Sequence, residues 1–416
     1  MSLAENVSAR VTYKAYATGV ITSNSQPTST ADPAASGGQI LRRTTASLNL
    51  TKETYESAEV NGHRQVSDFR HGVKRATGSV NGELSPGTYW ELIEAATRGT
   101  EASAVTATET DFTSVSADNT TSKFTFTAGN PHTKGLRVGD VIRFTNLSDS
   151  DNNSTNFCIV AMGGSSNREV TVYPAPDTMT LDTGFSLTTV GKSVMIPESS
   201  HVSRKFAFEI YNTESGVDTY RMFTECRVGG FNLSLPATGM STIEIPVMGR
   251  DMETASGGSA PFFSSPTAAT STGLLAAVNG LLRVGGVNIG VVTGATVNYQ
   301  MEMTGPAVVG QSYVPEIFLG RSRVSGSLTA FFEDMTLVNY FKNETEVEVL
   351  LYLTASTSDT ADAMTVYMPR VKFGGADVST DGEAGMSVTM PFTALKYATA
   401  GTGIEATTLR ITDTAA

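Results

Sequence analysis

An internal duplication constrains the fold of this chain more than any other feature, because two copies of one unit indicate where its domains begin and end. Four short blocks recur in the same order in the two halves of the sequence. The matched blocks are 46–50 with 295–299, 77–82 with 325–330, 227–234 with 372–379, and 239–247 with 385–392. The third block carries a double glycine in each half, at Gly229-Gly230 and Gly374-Gly375. The last two blocks therefore predict a strand, a turn and a second strand in each half.

The composition favours strands over helices. The 416 residues are 40% hydrophobic and only 17% charged, and Thr, Ser, Val, Gly and Ala are abundant; this composition is too apolar for disorder and suits a pleated surface. One helix is expected in each half, at 86–98 and at 333–342, where apolar residues lie three or four apart. The predicted fold is mainly β, with two tandem β-sandwich or barrel domains, each with one helix, plus an inserted small β domain.

The two halves differ in the connection between the helix and the closing strands. In the first half this connection is far longer, and residues 101–199 alternate in short runs separated by Gly, Asn, Asp and Ser. We therefore expect a small β domain to be inserted there on the outer surface. The first domain is expected at 1–100 and 200–252 with an N-terminal arm, a linker at 253–272, and the second domain at 273–416 with a C-terminal arm.

The charge of the chain argues against a surface that holds nucleic acid. The formal net charge is -12, from 29 Lys and Arg against 41 Asp and Glu, whereas phosphate binding needs clustered cations. No basic start followed by an apolar run is present at the N-terminus, and no segment has the length and apolarity of a membrane span. We expect a protein made in a reducing cytoplasm, with Cys158 and Cys226 as free thiols.

The residues that most often carry chemistry form no recognisable site. The four histidines are scattered, and the calcium-loop-like segment from Asp149 has Ser154 and Val160 where a glycine and a bidentate glutamate belong. The glycine-rich segment at 285–290 lacks the order and context of a nucleotide-binding loop. No catalysis, metal or cofactor is therefore expected.

With these features the chain resembles the tail tube, or major tail, proteins of long-tailed, non-contractile bacteriophages, in a variant with two tandem tube domains. The resemblance rests on the β-rich repeat with its single helix, on one long loop in each half (53–74 and 303–321), and on the arms. It implies a structural virion protein of a siphovirus that polymerises into stacked rings and forms a conduit for genome ejection. Rings of this family typically have six tube domains, so three chains would make a pseudo-hexameric ring.

The resemblance also implies partners and contacts. The expected partners are other copies of the chain, the tape-measure protein and DNA in the lumen without specific binding, and the tail-tip and terminator proteins, with no membrane; the expected location is the virion tail, after synthesis in the host bacterial cytoplasm. Loops and arms are expected to reach the adjacent ring. The candidate contact residues are Ala58 with its acidic neighbour Glu59, His63, Arg64, Phe69, Arg70, Val309, Tyr313, Ile404, Leu409 and Ile411.

Two other classes share this composition. A non-viral surface-layer, pilus-like or adhesive β protein is also rich in Thr, Ser and Gly, but normally has a secretion signal or an anchor. A carbohydrate-binding module or enzyme needs clustered aromatic residues or paired carboxylates on one face, whereas the aromatic residues, 8% of the chain, are spread along it. The duplication favours the tube protein over both.

Overall fold

A computed structural model describes residues 8–16, 33–59, 65–213, 218–379, 385–398, 401 and 403–416. His63 and Arg64, which were predicted to be contact residues, lie outside these ranges. The described chain is mainly β, as the sequence predicts, with few helices.

The elements follow one another in this order. The first strands are β1 (Arg10–Ala15), β2 (Gln39–Ile40), β3 (Thr45–Ala46), β4 (Asn49–Glu56) and β5 (Phe69–Glu83), followed by α1 (Trp90–Thr97). Next come β6 (Thr106–Thr108), α2 (Glu109–Phe112), β7 (Val115–Asp118), β8 (Lys123–Phe126), α3 (Pro131–Lys134), β9 (Val141–Thr145), β10 (Asn156–Gly163), β11 (Glu169–Tyr173), β12 (Met179–Asp182) and β13 (Ser186–Thr189). Then follow β14 (Lys192–Met195), β15 (Phe206–Asn212), β16 (Thr219–Val228), β17 (Gly230–Pro236), β18 (Thr242–Gly249) and β19 (Asp251–Ser256).

The remaining elements belong to the second half. They are β20 (Gly280–Val284), β21 (Val287–Asn288), β22 (Val292–Thr304), β23 (Phe318–Phe331), α4 (Thr336–Lys342), β24 (Val347–Thr354), β25 (Ala363–Phe373), β26 (Asp377–Ser379), β27 (Ser387–Ala394) and β28 (Arg410–Asp413). Short 3-10 turns lie at Ser150–Asn152, Ser165–Asn167, Gly257–Ser259 and Ala277–Asn279.

One antiparallel sheet runs through both halves. Its eight strands lie in the order β4-β5-β18-β17-β22-β23-β27-β26, and we call it the long sheet. The first four strands and the sheet β2-β1-β15-β16-β19 form the first unit. The last four strands and the sheet β21-β20-β24-β25-β28-β14 form the second unit. We call the two additional sheets the first and second covering sheets.

The two units share their strand registers as well as their strand order. Val80 faces Ile245 across β5 and β18, and the equivalent residues Leu328 and Met390 face each other across β23 and β27. The irregularity between Lys52 and Thr54 in β4 recurs between the equivalent Met301 and Met303 in β22. A second irregularity recurs in the covering sheets, in β15 and in β24. A shift of one residue would turn the core side chains outward, so these shared registers describe two copies of one arrangement.

Alternation along the strands builds the core between the long sheet and the covering sheets. In β18, Ile243, Ile245 and Val247 are buried while Thr242 and Glu244 are exposed, as expected when successive side chains point to opposite faces. One continuous apolar cluster extends through both units. The long sheet therefore has one apolar face in the core and one polar face outside it.

The segment between α1 and β14 forms a separate eight-stranded sheet, β12-β7-β8-β11-β10-β9-β13-β6, which we call the inserted sheet. Phenylalanine rings fill its interior, and Leu350, Tyr352 and Tyr367 of the second covering sheet complete that core. The hydroxyl of Thr365 also donates to the Gly139 carbonyl at 2.6 Å. The inserted sheet thus follows α1 of the first unit in the sequence but packs on the second unit.

Both helices are shorter than predicted, at Trp90–Thr97 and Thr336–Lys342. The first begins late because Gly87 has a φ of 73°, which ends any helical path from Pro86. The second begins after Asp334, whose carboxylate accepts the Thr336 N–H at 2.7 Å.

The C-terminal strand β28 is held in its own chain. It pairs with β25 on one side and with β14 on the other. At its end the buried carboxylate of Asp413 accepts hydrogen bonds from the Gly87 N–H at 2.7 Å and the Ala415 N–H at 3.0 Å. Burial raises the pKa of Asp413 to about 6, although these two hydrogen bonds act in the opposite direction.

Protonation of Asp413 is therefore expected to stabilise the fold. Because the pKa in the folded state lies above the ordinary value of 3.8, the free energy of unfolding should rise as the pH falls from 7 to 4.5, by about 2 kcal/mol for this group. Urea unfolding of the wild type and of the Asp413→Asn variant at both pH values isolates the contribution of Asp413. An equal pH dependence of the wild type and the variant would contradict this expectation.

Candidate subunit interface

The two units are joined by strand pairing in the middle of the long sheet. Strand β17 pairs with β22 over the seven residues from Gly230, opposite Gln300, to Pro236, opposite Gly294. The rings of Phe231 and Tyr299 stack behind this ladder with centroids 5.3 Å apart, and both are buried. We call this contact the joint, because it joins one sheet of each unit into the long sheet.

Glycine is required where the joint begins. A Cβ on Gly230 would collide with the carbonyl oxygen of Tyr299, and the φ of Gly230 is 149°, which L side chains rarely adopt. The neighbouring Gly229 accepts the Met301 N–H at 2.7 Å. The double glycine noted in the sequence thus allows two backbones to approach closely.

A loop of the second unit extends the joint. Residues 305–317, the second loop, connect β22 to β23 and return over the first unit. The Lys74 N–H donates to the Ser312 carbonyl at 2.9 Å, and the guanidinium of Arg250 lies 4.4 Å from the ring centroid of Tyr313. Val314 and Ile317 are buried against Val73. The second loop is therefore part of the contact between the units.

A buried group of charges lies under this loop. Glu225 accepts from Lys205 at 2.8 Å and from Arg250 at 2.7 Å, and all three side chains are at least nine-tenths buried. Glu316 of the second loop completes the group with ion pairs to Lys205 at 2.9 Å and Arg227 at 3.0 Å. Burial alone would raise the pKa of Glu225, but the hydrogen bonds and charges of Lys205 and Arg250 outweigh it and lower that pKa.

The same positions in the second unit carry a different, exposed set of charges. The equivalent residues there are Glu346, Arg370 and Lys372, in place of Lys205, Glu225 and Arg227. Arg370 and Glu346 pair at 2.7 Å with about a third of each side chain exposed. No loop within the described residues covers this pair as the second loop covers Glu225. The pair across the two strands has thus exchanged its signs between the units.

The residues predicted to contact an adjacent ring are not gathered in one place. Ala58, Glu59, Phe69 and Arg70 are exposed in or beside the first loop, whose described residues are 57–59 and 65–68. Arg70 pairs with Asp68 at 2.9 Å, and the rings of Phe69 and His71 lie 5.2 Å apart. Val309 is fully exposed in the second loop.

Four of the predicted contact residues pack within their own chain. Leu409 and Ile411 are fully buried in the core of their own chain, and Ile404 packs against the core of the inserted sheet. Tyr313 is buried under Arg250. Leu409, Ile411 and Tyr313 therefore have almost no surface for another ring, because strand pairing and the second loop use them within the chain.

The charged group around Glu225 was not among the predicted site residues. Its members come from four separate segments of the chain, so no spacing in the sequence relates them. One available signal was the exchange of charge between Glu225 and Arg370 in the aligned halves, since oppositely charged residues at matched positions indicate different surroundings.

Comparison with known proteins agrees with this architecture. The family described as phage tail tube protein matches residues 7–394. The chain therefore belongs to the phage tail tube family, a class of structural proteins that form the tube of the virion tail. A search of curated proteins found no match.

Two further observations concern other kinds of site. Within the described residues, no group of three or more His, Cys, Asp and Glu side chains is arranged to hold a metal ion. None of the helices in the described part of the chain combines the length and apolarity needed to cross a membrane.

Removing the charge of Glu225 should weaken the fold. Glu225→Gln leaves Lys205 and Arg250 buried without their shared carboxylate, so the free energy of unfolding should fall by about 3 kcal/mol. Glu346→Gln is the matched control, because it removes the carboxylate of the equivalent cross-strand pair, Glu346 with Arg370, which is partly exposed. It should cost less than about 1 kcal/mol. Urea unfolding measures both; equal losses would contradict the assigned difference in burial.

Proposed function

We propose that this chain polymerises into stacked rings of three copies, which form the tail tube of a long-tailed, non-contractile phage and conduct the genome during ejection. The observation that carries the proposal is the long sheet with its repeated register. Its edge strands, β4 and β26, have no further strand partner on their outer sides within the described residues. An uncovered edge is a pairing surface for another copy.

The internal repeat supports three copies in each ring. The division into a first domain at 1–100 and 200–252 and a second at 273–416 gives two tube domains per chain, so three chains would contribute six. The strand registers shared by the two units support this division. The ring would have three-fold symmetry and a pseudo-six-fold inner wall.

The polar face of the long sheet suits a bore through which DNA moves. Small hydroxyl side chains pair across its strands, Ser47 with Ser79 at 3.4 Å and the equivalent Thr296 with Ser327 at 3.0 Å. Such groups carry no positive charge, and the net charge of -12 disfavours binding of a polyanion. We propose that this face lines the lumen, where DNA and the tape-measure protein pass without specific binding.

The inserted sheet is assigned to the outside of the tube. It packs on the second covering sheet through Tyr352 and Tyr367, on the side of the sandwich away from the polar face of the long sheet. The tail-tip and terminator proteins are the proposed partners at the two ends of the tube. Synthesis is proposed to take place in the host bacterial cytoplasm.

Negative-stain electron microscopy of the purified protein tests this proposal. Top views should show hollow rings or tubes with three-fold symmetry and six inner lobes, because each chain would contribute two similar units. Six-fold rings of six whole chains would contradict the three-copy arrangement. Compact monomers under all conditions, also in the presence of tail-tip proteins, would contradict the tube function.

A further inference from the structure

The chain contains one complete joint and, at its two ends, the two separate halves of a second joint. The strand equivalent to β17 in the second unit is β26, and the strand equivalent to β22 in the first unit is β4. Within one chain these two strands are the opposite edges of the long sheet. The completed joint is therefore a template for how a second copy would fit.

We propose that β26 of one copy pairs with β4 of the next copy in the register of the internal joint, and that Asp377 there forms an ion pair with Arg221. This inference rests on the proposed ring and specifies its lateral contact. In the internal joint, Asn232 faces Asn298 and Leu233 faces Val297. The equivalent pairs between copies are Asp377 with Asn49, and Val378 with Leu48.

The glycines support this register. Gly375 is equivalent to Gly230, but among the described residues a Cβ on it would meet only Pro391, at 3.4 Å or more. The described part of the chain thus leaves open at Gly375 the space that the Tyr299 carbonyl occupies at Gly230. In the proposed pairing, the Leu50 carbonyl of the next copy takes the position of the Tyr299 carbonyl.

Two equivalent cavities, one in each unit, also support pairing with β26 of the next copy. In the second unit a cavity of about 440 Å³ is lined by Leu282, Ala295 and Leu351, and the end of β17 reaches it through Leu235 and Ala237. In the first unit a cavity of about 670 Å³ is lined by the equivalent Val11, Ala46 and Ile210. Among the described residues, none that lines this second cavity comes from a strand equivalent to β17. The end of β26 from the next copy would occupy the position in this cavity that the end of β17 occupies in the other.

The charges complement each other across the proposed contact. Three arginines, Arg10, Arg43 and Arg221, line the cavity of the first unit, and Arg221 donates to the Asn49 side chain at 3.2 Å. Directly opposed residues of an antiparallel pair have Cβ atoms about 5 Å apart, so a residue facing Asn49 lies beside the Arg221 guanidinium. Asp377 is exposed at the edge strand. The internal joint has the uncharged Asn232 and Asn298 instead, which makes the contact between copies chemically distinct.

Asp68, at the described end of the first loop, has the role of Glu316 in this arrangement. Asp68 is equivalent to Glu316, which pairs with Arg227 in the internal joint. The residue equivalent to Arg227 is Lys372, which is partly exposed and whose ion pairs with described residues of its own chain are long, at 3.7 and 3.9 Å. The proposed contact therefore brings Asp68 of the next copy to Lys372.

Cysteine cross-linking in assembled tubes tests the register. Asn49→Cys with Asp377→Cys should give covalent species of up to three chains after mild oxidation. Asn232→Cys with Asn298→Cys is the positive control, with the same geometry inside one chain, and Asn49→Cys with Val378→Cys is the register control, because neighbouring residues point to opposite faces. The native Cys158 and Cys226 are both buried and free.

The outcomes separate this inference from the proposed function. Tubes in which only the internal control cross-links, or in which the register control cross-links as well as the test pair, would overturn the register and leave the tube function standing. Wild-type protein that never forms rings or tubes would overturn both.

Charge reversal tests the ion pair and the identity of the partner. Arg221→Asp or Asp377→Arg alone should lower the pelleted, assembled fraction at least about tenfold, since like charges then face each other. The double variant should recover most of the assembly. Lys134→Asp, which reverses an exposed cation of α3 that pairs with Asp111 beside the inserted sheet, is the control and should assemble normally. Loss of assembly in the double variant, with an unchanged thermal midpoint, would overturn the pairing of Arg221 with Asp377.

Discussion

The backbone pairing of β17 with β22 is the contact on which the rest of the structure depends. It satisfies the hydrogen-bonding groups of two strands that would otherwise be edges, and it makes two sandwiches into one sheet. Because an antiparallel ladder permits few registers that keep the core side chains inside, this one contact determines how the units lie. It also leaves β4 and β26 as the free edges of the long sheet. These two strands are equivalent to β22 and β17, so they could pair between copies as β22 and β17 pair within one chain.

The two units of the chain share one fold but carry different charged residues at equivalent positions. Under the second loop the charges are buried and share Glu225 as their acceptor, whereas the equivalent residues of the second unit, Arg370 and Glu346, are partly exposed. The internal contact contributes to the stability of each subunit, since breaking a buried ion pair is costly. In our proposal the contact between copies uses exposed charges, which suits partners that must first exist as separate chains.

Much of the strand pattern could be predicted from the sequence. The composition, rich in Thr, Ser and Val, and the repeated blocks with their paired glycines at 229–230 and 374–375 predicted a mainly β fold, which the structure confirms. The resemblance to tail tube proteins is confirmed by the family match. The equivalence of β1 and β20 was missed, because their sequences share no motif and only their pairing with β15 and β24 relates them. The burial of Leu409 and Ile411 was missed for a similar reason: their partners lie far away in the sequence.

A cryo-electron microscopy reconstruction of the assembled tube, at a resolution that separates strands, tests the central claim most directly. The long sheet has eight strands in the described part of each chain, so we expect an inner wall of three times eight strands, continuous through β26 and β4 of neighbouring copies. Asp377 should face Asn49 in that wall. An inner wall built from other strands, or neighbouring copies joined only through their loops, would contradict the account.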